Sequence, residues 1–118
     1  MVVVETISGA NLYAFQKGCS VVIGTGDLRV VFAGVEQITG LRRLIGEWVQ
    51  EALGSGGCVC VWQKDGDGVM VTLKYGGESC ECQLAAREWD IMRGELCNLV
   101  IDALECWGGS PLIIDPPV

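Results

Sequence analysis

Four of the seven cysteines in this 118-residue chain form two Cys-x-Cys pairs, Cys58-Val59-Cys60 and Cys80-Glu81-Cys82. Four converging thiolates are a ligand set for tetrahedral zinc. Structural zinc sites, however, usually place two to four residues between paired cysteines on a turn, whereas side chains two apart on a strand lie roughly 7 Å apart and point in parallel. We therefore expect these thiols to pack in the core as small apolar groups, without a bound metal.

The sequence contains no histidine, which excludes Ser-His-Asp and Cys-His catalysis and His-ligated metal sites. Gly24-Thr25-Gly26-Asp27 lacks the Gly-Lys-Ser/Thr ending of a phosphate-binding loop, and the loop that begins at Asp65 has Gly76 where a calcium loop needs a glutamate. We expect both to be hairpin turns. Catalysis by a pair of carboxylates remains an alternative, but no two acidic residues stand out in the sequence. We predict that the protein is not an enzyme and that it binds no cofactor.

The outer face of a predicted C-terminal helix combines acidic and apolar side chains. Glu88, Glu95 and Asp102 recur every seven residues and so form one stripe along the helix. Two isoleucines lie beside this stripe, away from the predicted core, although single exposed apolar residues are also ordinary. We predict that this face binds a partner protein with a basic surface. Its residues are Glu88, Ile91, Glu95, Asn98, Ile101, Asp102 and Glu105.

The net charge of −7 is distributed unevenly, because residues 75–118 hold eight acids against two bases. This acidity disfavours nucleic acid and anionic membrane surfaces as partners. No apolar run approaches the roughly 20 residues of a membrane span, and three valines followed by Glu5 do not resemble a signal peptide. An odd number of cysteines also fits a reducing compartment in which the thiols stay free, and a secreted, disulfide-bonded protein is the less favoured alternative. We predict a cytoplasmic protein.

Glycine, often with Asn or Asp, interrupts the chain at short intervals, which predicts antiparallel strands joined by tight turns. Asp65-Gly66-Asp67-Gly68 is the clearest hairpin signal. The predicted strands are Val2–Ile7, Leu12–Gln16, Cys19–Ile23, Leu28–Ala33, Cys58–Lys64, Val69–Tyr75 and Glu78–Leu84.

An amphipathic helix is predicted after each group of strands. The first begins with Thr39 as its N-cap and ends at Leu53, followed by Gly54 at the C′ position. The second extends from about Arg87 to Trp107. The predicted buried stripe of the first helix is Ile38, Leu41, Leu44, Ile45, Trp48 and Ala52, and that of the second is Trp89, Met92, Leu96, Leu99, Val100, Ala103 and Trp107.

This plan predicts an α+β fold, with an antiparallel sheet and two amphipathic helices on one face. The pattern from Leu41 to Trp48 recurs 48 residues later, from Trp89 to Leu96. Either a duplicated strands-then-helix unit or chance similarity between amphipathic helices explains this recurrence. We predict one domain over residues 1–109, with halves 1–54 and 55–109 if the unit is duplicated, and an extended apolar tail over residues 110–118.

The order of elements, strands followed by a helix and then repeated, is similar to the topology of whirly and PUR-type domains. The resemblance is one of architecture, and no motif residues are shared. The resemblance implies single-stranded nucleic-acid binding through stacked aromatic rings and positive charge, which the net charge of −7 opposes. The residues that would serve are Tyr13, Phe15, Trp62 and Tyr75 for stacking, and Lys17, Arg29, Lys64 and Lys74 for charge.

Three functions are compatible with these features of the sequence. The first, which we favour, is a non-catalytic protein-binding module, such as an acidic inhibitor or immunity-type protein that masks a basic surface of its target. The second is the nucleic-acid-binding domain just described. The third is a homo-oligomeric structural subunit, for example a homodimer, joined through the apolar tail or through sheet edges.

Overall fold

The computed structural model describes residues 1–47 and 51–108. The first half contains four strands and a helix. The second half contains three strands of seven or eight residues, preceded by one of three residues, and a 23-residue helix. The elements are β1 (Val2–Glu5), β2 (Asn11–Lys17), β3 (Ser20–Thr25), β4 (Leu28–Phe32), α1 (Val35–Glu47), β5 (Glu51–Leu53), β6 (Val59–Asp65), β7 (Gly68–Tyr75), β8 (Glu78–Leu84) and α2 (Ala86–Gly108).

The strands form two four-stranded antiparallel sheets in sequential order, β1-β2-β3-β4 and β5-β6-β7-β8. The predicted α+β class is therefore confirmed, with the strands divided between two sheets instead of joined in one. The Ile7 N–H donates a hydrogen bond to the Gln83 carbonyl at 2.8 Å, which ties the β1–β2 loop to β8.

Two-residue turns connect most neighbouring strands. Gly66 and Asp67 form the loop between the paired residues Asp65 and Gly68, as the sequence predicts. The φ angle of Gly66 is +62°, a positive value that the first loop position of a type I′ or II′ turn requires and that glycine adopts without strain. Gly18 occupies the same position in the β2–β3 turn, with φ +61°.

The first helix begins earlier than the sequence predicts, at Val35 and not at Thr39. Gln37 explains the difference, because its side-chain oxygen accepts a hydrogen bond from the Ala33 N–H at 2.8 Å and so satisfies a backbone donor just before the helix. The Ser55 hydroxyl donates to the same oxygen at 2.8 Å. The helix start therefore depends partly on a residue that is 18 positions away in the sequence.

The predicted end of the first helix is wrong, since residues 51–53 form strand β5, in which Ala52 pairs with Cys60. Ala52 is buried, as predicted, but on a strand. Gly54 is not the C′ residue of α1 but precedes a short 3-10 helix, Ser55–Gly57: its φ is −104°, and an added Cβ would lie only 2.7 Å from the Val31 carbonyl oxygen. Glycine is needed at this position because the backbone of β4 lies too close for a side chain.

One hydrophobic core draws residues from both sheets and both helices. The first helix buries Ile38, Leu41, Leu44 and Ile45, as predicted, and Trp48 lies outside the described residues. The prediction for α2 is correct except at Leu99, which is half-buried, and Trp107, which is 47% exposed. Leu104 is buried in addition. The buried residues of α2 are Trp89, Met92, Leu96, Val100, Ala103 and Leu104.

Trp62 joins the second sheet to both helices. Its side chain is 3% exposed, and its ring meets that of Trp89 edge to face, with centroids 4.8 Å apart. Its indole N–H donates to the Leu44 carbonyl, in the last turn of α1, at 3.1 Å. The contact satisfies both groups in the protein interior, where an unpaired polar atom is costly.

Candidate binding surfaces

The outer face of α2 displays nearly all the residues that the sequence predicts for partner binding. Ile91, Glu95, Asn98, Ile101, Asp102 and Glu105 are exposed, and Glu88 is half-buried in the first turn. The isoleucine side chains are 43% exposed at Ile91 and 48% exposed at Ile101. Because the buried side of α2 already supplies the core, folding does not require these two apolar groups.

Acidic side chains outnumber basic ones on α2. The helix carries Glu88, Asp90, Glu95, Asp102 and Glu105 against only Arg87 and Arg93. Basic residues elsewhere in the described part of the chain are on α1 and the strands. Such a face attracts a positively charged partner at long range, and the isoleucines supply apolar area that is buried on contact.

A second surface covers the open side of the first sheet. Tyr13 and Phe15 stack with ring centroids 6.1 Å apart and planes inclined by 19°. The guanidinium carbon of Arg29 lies 5.8 Å from the Tyr13 centroid and 5.9 Å from the Phe15 centroid. A guanidinium at this distance from two rings makes favourable cation–π contacts.

Backbone geometry fixes this arrangement. Tyr13 pairs with Gly24, and Gly24 pairs with Arg29, so the three residues form one row across the sheet. The Tyr13 ring lies over Gly24, where an added Cβ would come within 2.6 Å of it. The Arg29 Nε–H donates to the Tyr13 hydroxyl at 3.0 Å, and that hydroxyl donates to the Gly26 carbonyl at 3.1 Å.

A shallow cavity of about 330 Å³ adjoins the stacked rings. Val22 and Val31 supply apolar area, while Lys17 and Arg29 supply two positive charges. We call the surface formed by Tyr13, Phe15, Lys17, Val22, Arg29 and Val31 the aromatic sheet face.

The structure does not bring the other predicted stacking residues to this surface. Trp62 is buried, which corrects its expected role. Tyr75 is half exposed at the far end of β7, in the second sheet. Lys64 and Lys74 also lie on the second sheet, on β6 and β7. Alternating side chains in a strand face opposite sides, so Trp62 and Lys64 share the side that faces the core.

The two Cys-x-Cys pairs lie on the inner side of the second sheet. Cys58, Cys60 and Cys82 are buried, and Cys80 is half-buried. Burial raises the pKa of the Cys60 thiol to about 12, and it also raises the pKa values of Cys58 and Cys82. Thiols with raised pKa values stay protonated and make poor nucleophiles. Within residues 1–47 and 51–108, no group of three or more His, Cys, Asp or Glu side chains is placed to hold a metal ion.

The expectation that the cysteines are free is wrong for two of them. Cys19 and Cys106 form a disulfide bond between residues 87 positions apart, with Cα atoms separated by 5.4 Å. The Trp107 indole N–H donates to the Cys19 carbonyl at 2.6 Å beside this bond. The pairing has no local sequence signal, because it depends on the end of α2 meeting the β2–β3 turn.

No protein family, curated protein or solved structure compared with this chain shows significant similarity to it. Among the described residues, no helix combines the length and the apolar composition needed to cross a bilayer.

Proposed function

We propose that this protein is a non-catalytic binding module, of the inhibitor or immunity type, which uses the outer face of α2 to mask a basic surface of a target protein. The observation that carries the proposal is the exposure of Ile91 and Ile101 on a helix face that also carries Glu95, Asp102 and Glu105. Apolar groups contribute affinity when they are buried, and the surrounding acids contribute specificity and association rate.

The test neutralises the acidic stripe with a triple variant, Glu88→Gln, Glu95→Gln and Asp102→Asn. A matched control, Glu5→Gln, Glu51→Gln and Glu78→Gln, changes three exposed acids outside α2 and gives the same net charge. Proteins retained from a cell extract by the immobilised parent are identified, and one basic partner is purified. Its dissociation constant with the parent and with each variant is then measured across a salt series.

We expect the stripe variant to weaken binding by roughly tenfold or more and to flatten the salt dependence, because it removes charge at the contact and not only from the whole molecule. The control should bind as the parent does, within about twofold. Equal affinities for the two variants would show that the stripe is not the contact surface.

Single-stranded nucleic acid is a second candidate ligand, which the aromatic sheet face specifically favours. The stacked Tyr13 and Phe15 rings offer a platform for bases, and Lys17 and Arg29 supply charge for phosphates. Base stacking on aromatic side chains contributes about 1–3 kcal/mol per base. The doubled order of four strands and a helix, similar to that of whirly and PUR-type domains, supports this candidate, and the net charge of −7 opposes it.

Fluorescence anisotropy with a labelled oligonucleotide of mixed sequence, at low salt, distinguishes the two candidates. If the aromatic sheet face binds single strands, Phe15→Ala and Arg29→Gln should each weaken binding, while Lys74→Gln on the other sheet should not. A parent protein that leaves the anisotropy unchanged at micromolar concentration would eliminate this candidate and leave the protein-binding proposal unaffected.

A further inference from the structure

The cavity on the aromatic sheet face is built by three neighbouring strands. Strands β2, β3 and β4 each contribute two of its lining residues, which are Phe15, Lys17, Ser20, Val22, Arg29 and Val31. Its volume of about 330 Å³ lies near the lower end of the range of ligand pockets. It therefore has room for one ring system with a small polar group attached, and not for a longer ligand.

The floor of this cavity is apolar. Val21 and Ile23 belong to the core, so Val22 between them points to the outer side of the sheet. Val22 is nevertheless only 4% exposed, and its partners in the strand register, Phe15 and Val31, are half-buried beside it. A flat ring that packs on these three side chains would gain a dry, apolar contact.

The charge of the cavity is opposite to that of the whole protein. The chain has 15 acids and 8 bases, yet both charged residues that line the cavity, Lys17 and Arg29, are basic. Two cations at one small apolar cavity attract an anion locally. A ligand that matches this surface combines a flat apolar ring with a negative charge.

Arg29 is already held in one position. Its Nε–H donates to the Tyr13 hydroxyl at 3.0 Å, and its guanidinium carbon lies about 6 Å from the centroids of the Tyr13 and Phe15 rings. This hydrogen bond uses one of the five N–H donors of the guanidinium, and the two terminal nitrogens carry the other four. Two parallel N–H groups match two oxygens of a phosphate, and a side chain that is fixed beforehand loses less conformational entropy on binding.

The polar groups at the other end of the cavity favour phosphate over carboxylate. Lys17 and Ser20 form the last pair of the β2–β3 ladder, and the Cys19–Cys106 disulfide anchors the turn between them. Together with Arg29, they offer two cations and one hydroxyl. A phosphate monoester has three terminal oxygens and a charge of about −2, whereas a carboxylate has two oxygens and a single charge.

We propose that this cavity binds the phosphate monoester of a flat ring system, of the size of a nucleoside monophosphate. The phosphate lies between Arg29 and Lys17, and the ring packs on Phe15, Val22 and Val31. A long polyanion is disfavoured by the net charge of −7, which repels each further phosphate, whereas a single phosphate is matched by the two cations. The inference goes beyond the proposed function, which uses α2, and it differs from binding along a single strand because it requires the terminal phosphate.

NMR titration of the isotope-labelled full chain with adenosine monophosphate tests the proposal. We expect the backbone amide signals of Phe15, Ser20 and Val22 to shift in a saturable manner, with a dissociation constant below about 1 mM. Adenosine, which lacks the phosphate, should bind at least roughly tenfold more weakly. Equal binding of adenosine, or no saturable shift at about 10 mM adenosine monophosphate, would overturn the proposal.

Three variants locate the binding site. Lys17→Gln and Arg29→Gln should each weaken binding of adenosine monophosphate by roughly fivefold or more. Arg42→Gln makes the same charge change on α1, and its affinity should stay within about twofold of that of the parent. Lys17 is exposed at the end of β2, so its variant remains informative even if Arg29→Gln displaces Tyr13. An equal loss of affinity in Arg42→Gln would show attraction by overall charge only and would refute the proposed site.

A short oligodeoxyadenylate, with and without a terminal phosphate, identifies the source of the phosphate. Tighter binding of the phosphorylated strand than of adenosine monophosphate would identify the ligand as a strand end, and the reverse order would identify it as a free nucleotide. An unphosphorylated strand that binds as tightly as the phosphorylated one would contradict the proposal, because the surface would then bind along the strand.

Discussion

Cys19, in the turn between β2 and β3, is disulfide-bonded to Cys106, in the last turn of α2. The bond fixes the end of the longest helix to the edge of the aromatic sheet face, since Lys17 and Ser20 flank the same turn. It also closes a loop that includes most of the described chain. We therefore expect the stability of the fold to depend on whether this disulfide bond is formed or reduced.

Removal of the disulfide should lower stability considerably. For the double variant Cys19→Ser and Cys106→Ser, the entropy of the open unfolded chain predicts a free energy of unfolding about 4.5 kcal/mol lower than that of the parent. Urea unfolding followed by tryptophan fluorescence measures this difference. Cys97→Ser, on the same helix but with a free thiol, is the control and should change stability by less than about 0.5 kcal/mol. A double variant that unfolds at the same urea concentration as the parent would show that the bond does not form.

Trp62→Phe should cost about 2 kcal/mol of stability, because it leaves the Leu44 carbonyl without its indole donor and weakens the edge-to-face contact with Trp89. Trp107→Phe removes an indole hydrogen bond as well, but to the Cys19 carbonyl at the surface. Water replaces that bond, so the expected cost is below about 1 kcal/mol. Thermal unfolding of both variants compares the two sites, and equal losses would contradict the role of the buried hydrogen bond.

Stability should fall at high pH through the buried thiols. Burial raises the pKa of Cys60 from 9.0 to about 12, so the unfolded chain loses this proton at lower pH than the folded chain. The protonated thiol therefore stabilises the fold fully below pH 9, and its contribution is lost as the pH rises towards 12. Cys60 alone contributes a slope of about 1.4 kcal/mol per pH unit within this window.

Cys60→Ala isolates this contribution. Its free energy of unfolding should fall less steeply than that of the parent between pH 9 and pH 12, although it is less stable at neutral pH because of the cavity. Cys97→Ala, at an exposed position, should keep the parental slope. Parallel curves for the parent and Cys60→Ala in oxygen-free buffer would refute the assignment.

Gly24→Ala should disrupt the aromatic sheet face, because the added methyl group occupies the space of the Tyr13 ring. Displacement of Tyr13 breaks its hydrogen bond with Arg29, and we expect a loss of about 1–2 kcal/mol in stability. Gly40→Ala is the matched control. Gly40 lies within α1 with open space around it, and there alanine should stabilise the helix by about 0.5–1 kcal/mol. Opposite shifts of the two melting temperatures support the close packing of Tyr13 on Gly24, whereas equal shifts contradict it.

The predictable parts of the fold are those that follow from neighbouring residues. The Asp65-Gly66-Asp67-Gly68 turn, strand β8 and nearly the whole of α2 were predicted within one residue, because glycine placement and apolar spacing act locally. The short strand β5 was missed. Its one buried residue, Ala52, satisfies both helical and strand periodicity, so that only pairing with Cys60 decides between them.

Of the two candidate surfaces, one was predictable from the sequence and the other was not. The exposure of Ile91 and Ile101 on α2 was predictable from helical spacing alone. The stacking of Tyr13, Phe15 and Arg29 was not, since these side chains meet only through the register of three strands.

The amino-acid sequence by itself determined the α+β class, the turns and the two amphipathic helices, because those features depend on interactions within a few residues. Only the tertiary structure decided the Cys19–Cys106 bond and the burial of Trp62 between the helices. Each of these joins residues at least 18 positions apart, and their proximity comes from the packing of the two sheets and the two helices around one core.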